Sequence, residues 1–258
     1  MLLAIDVGNT NTVFGIHDGT RFIIEWRCAT HAGRTADEYQ VWLDSLMRIA
    51  DIRPVIDRVI VSSVVPQVVF NLRVLAERYF GTRPLVVGRP ECRLPIEARV
   101  DPGTQVGADR LVNAAGAHAR HGGDLIVVDF GTATTFDVVA ADGAYMGGVI
   151  APGVNLSLRA LHEAAAALPH VDVAMPGKVI GTNTVGAMQS GVFWGYVGLI
   201  EGVVGRIREE HGRPMKVIGT GGLSTLFERG TEIFDAVEPD LTMHGLAVID
   251  AFNRKDGE

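Results

Sequence analysis

A short segment near the start of the chain has the residue types of a phosphate-binding turn. It reads Asp6-Val7-Gly8-Asn9-Thr10-Asn11-Thr12-Val13 and joins two apolar stretches. Its small and polar residues can offer backbone N–H groups and hydroxyls to a phosphate, with no bulky side chain in the way. Asp6 suits a hydrated Mg²⁺, which binds through one or two carboxylates together with phosphate oxygens. The segment therefore predicts phosphate binding, and a plain polar hairpin turn is the alternative.

The same pattern returns in the second half of the chain. It reads Asp129-Phe130-Gly131-Thr132-Ala133-Thr134-Thr135, so that Asp129 aligns with Asp6 and Gly131 with Gly8. Its threonines supply hydroxyl donors and acceptors, and Asp129 could hold a cation. We interpret the repeat as two copies of one α/β domain, residues 1–115 and 116–258, with a nucleotide cleft between them. The alternative is a chance similarity of two Asp-Gly hairpins.

Three further segments carry residues that could bind a substrate. Gly107-Ala108-Asp109-Arg110 opens a predicted helix, whose first N–H groups favour anions. Arg110 can hold a carboxylate in bidentate fashion, and Asp109 is a candidate general base for a hydroxyl group or else a helix cap. Thr184 precedes a long helix, as a ligand contact or as part of its cap. Gly219-Thr220-Gly221-Gly222 ends a strand at a place that suits a nucleotide.

Short apolar strands and amphipathic helices are predicted to position these segments. Strands are expected at 2–7, 12–17, 21–27, 58–62 and 85–87, and again at 125–129, 134–139, 144–150 and 216–219. Helices are expected at 35–50, from 66, at 109–120, after 152, at 183–210 and at 244–252. The stretch 185–205 carries a single formal charge, but its glycines and polar residues favour a buried or interfacial helix over a membrane span.

Composition excludes several other classes of protein. The net charge of −7 argues against a non-specific nucleic-acid binder. The chain has no Walker sequence and no nucleophile elbow, and its histidines lack zinc spacing with the two cysteines, Cys28 and Cys92. Two cysteines and an apolar start with no preceding basic region favour a cytoplasmic protein without a signal peptide.

The duplicated Asp-x-Gly hairpins and the late Gly-Thr-Gly-Gly resemble the superfamily of acetate and sugar kinases, heat-shock chaperones and actin. Within it the sequence is similar to the bacterial type III pantothenate kinases. Besides the segments above, the matching pieces are Ser62-Ser63-Val64-Val65-Pro66, Val106, Gly147-Gly148-Val149-Ile150, Pro152-Gly153 and Gln189-Ser190-Gly191. Many relatives have a Tyr at the position of Val100, so an aromatic contact to the substrate is missing here or comes from elsewhere.

The resemblance implies two actin-like (ribonuclease H-like) domains and ATP-dependent phosphorylation of pantothenate, the first step of coenzyme A biosynthesis. By position it implies ATP contacts at Asp6, Val7, Gly8, Asn9, Thr10, Asn11, Thr12, Val13 and Thr132, with Mg²⁺ near Asp6 through water. It implies a monovalent cation, K⁺ or NH₄⁺, at Asp129. It implies pantothenate at Gly107, Ala108, Asp109, Arg110 and Thr184, with Asp109 as general base, in a cytoplasmic homodimer that needs no nucleic acid or membrane.

Two other functions stay open at this point. One is a different small-molecule kinase or a phosphatase of the same superfamily, against which the Gly107–Arg110 segment argues. The other is a non-catalytic ATP-binding regulatory protein. A pure nucleotide switch has no need of the Asp109 carboxylate, and the sequence has no helix-turn-helix signature or basic stripe.

Overall fold

The computed structural model describes residues 1–164 and 168–255. In this part of the chain, ten strands form two five-stranded sheets. The strands are β1 (Leu2–Val7), β2 (Asn11–His17), β3 (Phe22–Ala29), β4 (Arg58–Ser63), β5 (Leu85–Val86), β6 (Leu125–Phe130), β7 (Ala133–Val139), β8 (Tyr145–Pro152), β9 (Lys216–Gly221) and β10 (Ala236–Val237). The α-helices are α1 (Ala36–Ile49), α2 (Pro66–Tyr79), α3 (Ala108–His121), α4 (Val154–Ala164), α5 (Thr184–His211), α6 (Ser224–Phe227) and α7 (Leu241–Lys255).

The helix ends follow local sequence signals. Thr35 forms a capping box with Glu38 at the start of α1, which satisfies two N–H groups that the helix itself leaves unpaired. Pro66 opens α2, where the missing N–H of proline is not needed. The side chain of Asn183 accepts a hydrogen bond from Gly186 N at the start of α5. Gly212 ends α5 in the left-handed conformation (φ 71°), which glycine adopts without a steric penalty.

The chain divides into two compact units. Unit 1 comprises Met1–Ile96, Gln105–Ala119 and Thr242–Glu258, and unit 2 comprises Glu97–Thr104 and Arg120–Leu241. The sheet of unit 1 has the order β3-β2-β1-β4-β5, and that of unit 2 has the order β10-β9-β6-β7-β8. In each, three antiparallel strands lie beside two strands parallel to the first. The predicted α/β fold with duplicated mixed sheets flanked by helices is therefore confirmed.

Helices cover both faces of the unit 1 sheet. One face buries Leu3, Ile5 and Phe14 against α1 and α2 through side chains such as Tyr39 and Leu72. On the other face, Leu2, Ala4 and Ile60 pack with Val112 of α3 and Leu246 of α7. Because the side chains of a strand alternate between faces, the apolar run of β1 supplies both cores. Its last residues therefore lie between two packed layers.

The core of unit 2 lies between its sheet and α5. Ile126, Val128 and Phe136 pack with Phe193 and Ile200 of that helix. Phe193 and Phe130 both stack on Phe227 of α6, with ring centroids 5.2 and 5.1 Å apart. In the part of the chain that is described, no helix has the length and apolar character needed to cross a membrane. The stretch 185–205 lies in α5 and supplies much of this core.

The compact units are not continuous in sequence, unlike the single boundary after residue 115 that the sequence predicted. The last helix packs on the first sheet, where Met243 and Ile249 join the cluster around Leu2, and Thr242 Oγ1 donates to Asn113 Oδ1 at 2.7 Å. Residues 97–104 belong with the second sheet, because Arg99 N donates to Tyr145 O at 2.8 Å. An amphipathic helix pattern predicts that α7 is buried on one face, but it does not specify the partner sheet.

Candidate active site

The first glycine segment forms a tight hairpin at the end of β1. Asp6 and Val7 pair with Val13 and Thr12 on the adjacent strand. Gly8 N donates to Asn11 O at 2.9 Å and closes the turn. The side chains of Asn9, Thr10 and Asn11 are exposed, whereas Thr12 is fully buried. The hairpin thus presents its tip to solvent and anchors its base in the core.

Asp6 is a carboxylate in an unfavourable environment. Burial raises its pKa to about 6. The neighbouring Ser62 side chain opposes this shift, the charge of Asp109 adds to it, and the charge of Arg27 opposes it. Desolvation disfavours the charged form of a carboxyl group, and a nearby cation restores it. A cation bound beside Asp6 would therefore be stabilised by this site.

Asp109 lies in the first turn of α3, where the structure leaves it half-buried. Burial raises its pKa above the ordinary range, and the Arg110 N–H and charge oppose the shift. Arg110 N donates to Asp109 Oδ1 at 2.8 Å. A Cβ at Gly107 would lie 2.6 Å from the same oxygen, so glycine at this position makes room for the carboxylate.

Unit 1 brings Asp6 and Asp109 together. Asp6 is on the face of the sheet that α3 covers, Asp109 is in the first turn of α3, and the charge of Asp109 raises the pKa of Asp6. A negative charge nearby raises the proton affinity of a carboxylate, and the charge of Asp109 acts on Asp6 in this way. Such a pair can hold a cation at one carboxylate and accept a proton at the other. Arg110 follows Asp109 directly in α3.

Arg27 of β3 belongs to the same site, although it lies outside every sequence motif. Val13 pairs with Asp6 on one side and with Arg27 on the other, so these residues form one row across three strands and share a face of the sheet. Arg27 is exposed and its charge lowers the pKa of Asp6. Alternation along β3 could have identified it, once the register with β2 was known.

The second hairpin, in unit 2, is similar to the first, but its turn is one residue shorter. Gly131 N donates to Ala133 O at 3.0 Å, as Gly8 N does to Asn11 O. Thr132 is exposed at its tip and Asp129 is half-buried at the end of β6. β9 runs beside β6, with Thr220 opposite Asp129 and Gly221 opposite Phe130. The late glycine motif therefore lies next to the hairpin, as a nucleotide site would require.

Gly221 and Gly153 are needed for close packing around this second hairpin. Gly221 has a φ of +87°, and a Cβ there would overlap the Asp129 carboxylate and the Phe130 backbone. A Cβ at Gly153 would overlap the backbone carbonyl of Thr132. Glycine at both positions lets other backbone segments approach the turn.

Thr184 is the first residue of α5, and the capping role belongs to the neighbouring Asn183. Thr184 is exposed and lines a cavity of about 920 Å³ within unit 2, together with Thr182, Ser157 and Tyr196. The remaining wall of this cavity is mainly apolar, with Leu161, Leu168, Met188, Val192 and Leu199 among its residues. A partly apolar ligand with a few polar groups would fit such a lining.

Comparison with known proteins identifies the family. The family model described as type III pantothenate kinase matches residues 2–206. The chain belongs to the type III pantothenate kinase family. Its similar relatives include the type III pantothenate kinase of Dinoroseobacter shibae, 66% identical over 99% of this chain and 100% of the relative. That of Paracoccus denitrificans is also 66% identical, over 100% of this chain and 99% of the relative. The protein is therefore an enzyme, a kinase.

Solved structures agree on the fold at much lower sequence identity. A Baf family protein from Campylobacter jejuni has a TM-score of 0.62 at 18% identity, over 98% of this chain and 99% of that one. A ROK family glucokinase from Streptomyces griseus, solved with glucose and AMPPNP, has a TM-score of 0.54 at 12% identity, over 98% and 99%. The kinase family member therefore shares the two-domain fold of sugar kinases.

Proposed function

We propose that this enzyme phosphorylates the primary hydroxyl of pantothenate with ATP, giving 4'-phosphopantothenate and ADP, as the first step of coenzyme A biosynthesis. The observation that carries the proposal is the pairing of Asp6, at the phosphate-binding hairpin, with Asp109, at the start of α3, in a site that raises the pKa of both. Membership of the type III pantothenate kinase family supplies the substrate.

The ATP phosphates bind to the first hairpin, from Asp6 to Val13, and Thr132 of the second hairpin adds a contact. Exposed Asn9, Thr10 and Asn11 offer polar groups at the tip of the first hairpin. Arg27 contributes positive charge from β3, in a chain that lacks a Walker lysine. Phosphoryl transfer depends mainly on positioning and charge stabilisation, and these residues supply both.

Mg²⁺ and a monovalent cation fit the carboxylates present. Asp6, whose pKa is raised by burial to about 6, would hold Mg²⁺ through water. Asp129, enclosed by the backbone at Gly221, would hold K⁺ or NH₄⁺ through an oxygen ligand. When bound, these cations supply positive charge beside the triphosphate.

Asp109 is the general base. The hydroxyl oxygen of pantothenate forms a bond to the γ-phosphorus as the bond to the ADP oxygen breaks, and the hydroxyl proton passes to Asp109. The raised pKa of Asp109 improves it as a proton acceptor. Gly107, Ala108 and Arg110 hold pantothenate, with the Arg110 guanidinium on its carboxylate, and Thr184 adds a polar contact.

We place the active enzyme in the cytoplasm as a homodimer. Both cysteines are free thiols, as a reducing compartment would keep them. Several large apolar side chains of unit 2 are exposed, and a second copy of the chain would cover them. They are Val149, Ile150, Leu156, Leu161 and Val185, exposed by 38–64%.

The first experiment is an ADP-release assay with ATP, Mg²⁺ and pantothenate, run in K⁺ and in Na⁺. We expect turnover that depends on pantothenate and on K⁺. Asp109→Asn should lower kcat by about 10²–10⁴-fold, the usual contribution of a general base. Asp44→Asn, which changes an exposed carboxylate of α1, is the matched control and should retain full activity. Wild-type protein that binds ATP without turnover would contradict the proposal in favour of a regulatory protein.

A further inference from the structure

Thr30, the residue that follows β3, is bonded to the phosphate hairpin at three points. Its backbone N–H donates to Thr10 O at 2.9 Å. Its hydroxyl donates to Gly8 O at 2.8 Å and lies 2.9 Å from the hydroxyl of Thr12. Thr30 lies outside every motif that the sequence itself reveals.

These hydrogen bonds lie beneath the hairpin, toward the core. Thr12 is fully buried and Thr30 half-buried. Thr12 pairs with Cys28 of β3, and Cys28 packs on the cluster that contains Phe14 and Tyr39. In such a setting a carbonyl that loses its donor is not simply rehydrated, so the Thr30 hydroxyl restricts the position of the Gly8 carbonyl.

The direction of these carbonyls determines where the hairpin N–H groups point. In a planar trans peptide the C=O and the following N–H point in opposite directions. The Gly8 carbonyl points to Thr30, so the N–H of Asn9 points away from it. The Thr10 carbonyl also points to Thr30, so the N–H of Asn11 points away as well. Gly8 N is already bonded to Asn11 O, which leaves Asn9 and Asn11 as the donors that Thr30 orients.

We infer that Thr30 is a positioning residue, which turns the N–H groups of Asn9 and Asn11 toward the ATP phosphates. The inference rests on the proposed function, because it takes the hairpin to be the phosphate site. Thr30 itself does not touch the nucleotide. It acts through the hairpin, which it holds in the binding conformation before ATP arrives, so that less conformational freedom is lost on binding.

The test compares Thr30→Val, which keeps the branched shape but loses the hydroxyl, with Thr30→Ser, which keeps the hydroxyl. Calorimetric titration with Mg²⁺ and AMPPNP, a non-hydrolysable ATP analogue, should show about tenfold weaker binding for Thr30→Val, the size expected when a buried acceptor loses its donor. Thr30→Ser should bind within about twofold of the wild type. The KM for ATP should rise in the valine variant while the KM for pantothenate stays unchanged.

Thr20→Val is the matched control. Thr20 lies in the turn at the other end of the same strand pair, where its hydroxyl bonds Asp18 Oδ1 at 2.7 Å, exposed to solvent. It should leave nucleotide affinity unchanged. Thr12→Val adds a second check: because its hydroxyl and that of Thr30 bond each other, the double variant should lose less affinity than the two single losses combined.

Two outcomes would overturn the inference, for different reasons. If the wild type binds AMPPNP and Thr30→Val binds it equally well, the hydroxyl does not position the hairpin and only the inference fails. If the wild type binds no nucleotide, the proposed function fails and the inference fails with it. In the first case, a lower melting temperature of Thr30→Val would show that the hydroxyl has a purely structural role.

Discussion

The raised pKa of Asp6 makes the stability of the protein depend on pH. Its pKa in the folded chain is about 6, against 3.8 without the fold. At a pH between these two values, the Asp6 carboxyl is protonated in the folded state and ionised in the unfolded state. The free energy of unfolding therefore falls as pH rises from about 4 to about 6, and the lost stability stays lost above that range.

Asp6→Asn removes this dependence. The difference in the free energy of unfolding, variant minus wild type, should rise by about 2–3 kcal/mol between pH 4 and pH 7. Urea unfolding of nucleotide-free protein measures it. Arg27→Gln should enlarge the wild-type pH dependence, because Arg27 lowers the pKa of Asp6. Arg21→Gln, an exposed change in the turn that precedes β3, is the control. If the free energy of unfolding depends on pH in the same way in the wild type and in Asp6→Asn, the pKa of Asp6 is not raised in the folded protein.

The proposed cation site lies where two adjacent strands end. Asp129 is the last residue but one of β6 and pairs with Thr220 near the end of β9, and Gly221 is the residue that lets the two strands approach. The carboxyl ends of neighbouring parallel strands meet at the same edge of a sheet, which is where α/β proteins bind their ligands. One methyl group at this edge should therefore affect both packing and cation binding.

Gly221→Ala provides the corresponding prediction. The new Cβ would overlap the Asp129 carboxylate and require a φ of +87°, so we expect a loss of about 1–3 kcal/mol in stability. The K⁺ concentration for half-maximal activity should also rise. Gly222→Ala is the matched control, since nothing lies within 4 Å of its Cβ position. If Gly221→Ala and Gly222→Ala need the same K⁺ concentration for half-maximal activity, Asp129 does not bind the cation.

Unit 2 exposes apolar side chains that a second copy of the chain would cover. Ile150 of β8 is 64% exposed, and Leu161 of α4 is 41% exposed. Burial of such side chains in a homodimer would stabilise it through the hydrophobic effect. Leu161 also lines the cavity that Thr184 lines. A second copy that covers Leu161 would therefore border that cavity.

Ile150→Glu should convert the protein to a monomer if Ile150 lies in the proposed interface, because a charge buried in an apolar interface is costly to desolvate. Sedimentation or light scattering at micromolar concentration measures the change. Ile49→Glu, at an 82% exposed position of α1 in unit 1, is the control and should leave the dimer intact. A wild type that is monomeric under these conditions, or a dimer in both variants, would contradict the proposed interface.

Much of the local structure of this protein follows from its sequence alone. The two Asp-x-Gly hairpins, the strands that flank them and the helix starts at Thr35, Pro66 and Asn183 depend on residues within a few positions of each other. Short-range hydrogen bonds and side-chain alternation therefore make them readable from the order of residue types. The duplicated α/β fold follows because the same local pattern occurs twice.

Tertiary structure alone decided the contacts between distant segments. The packing of α7 on the first sheet, the effect of Asp109 on Asp6, the row from Asp6 to Arg27 and the bonds from Thr30 to the hairpin all join segments that the sequence leaves independent. The reason is physical: an apolar helix face or a polar side chain specifies the kind of partner it needs, and only packing and strand register select which one it meets.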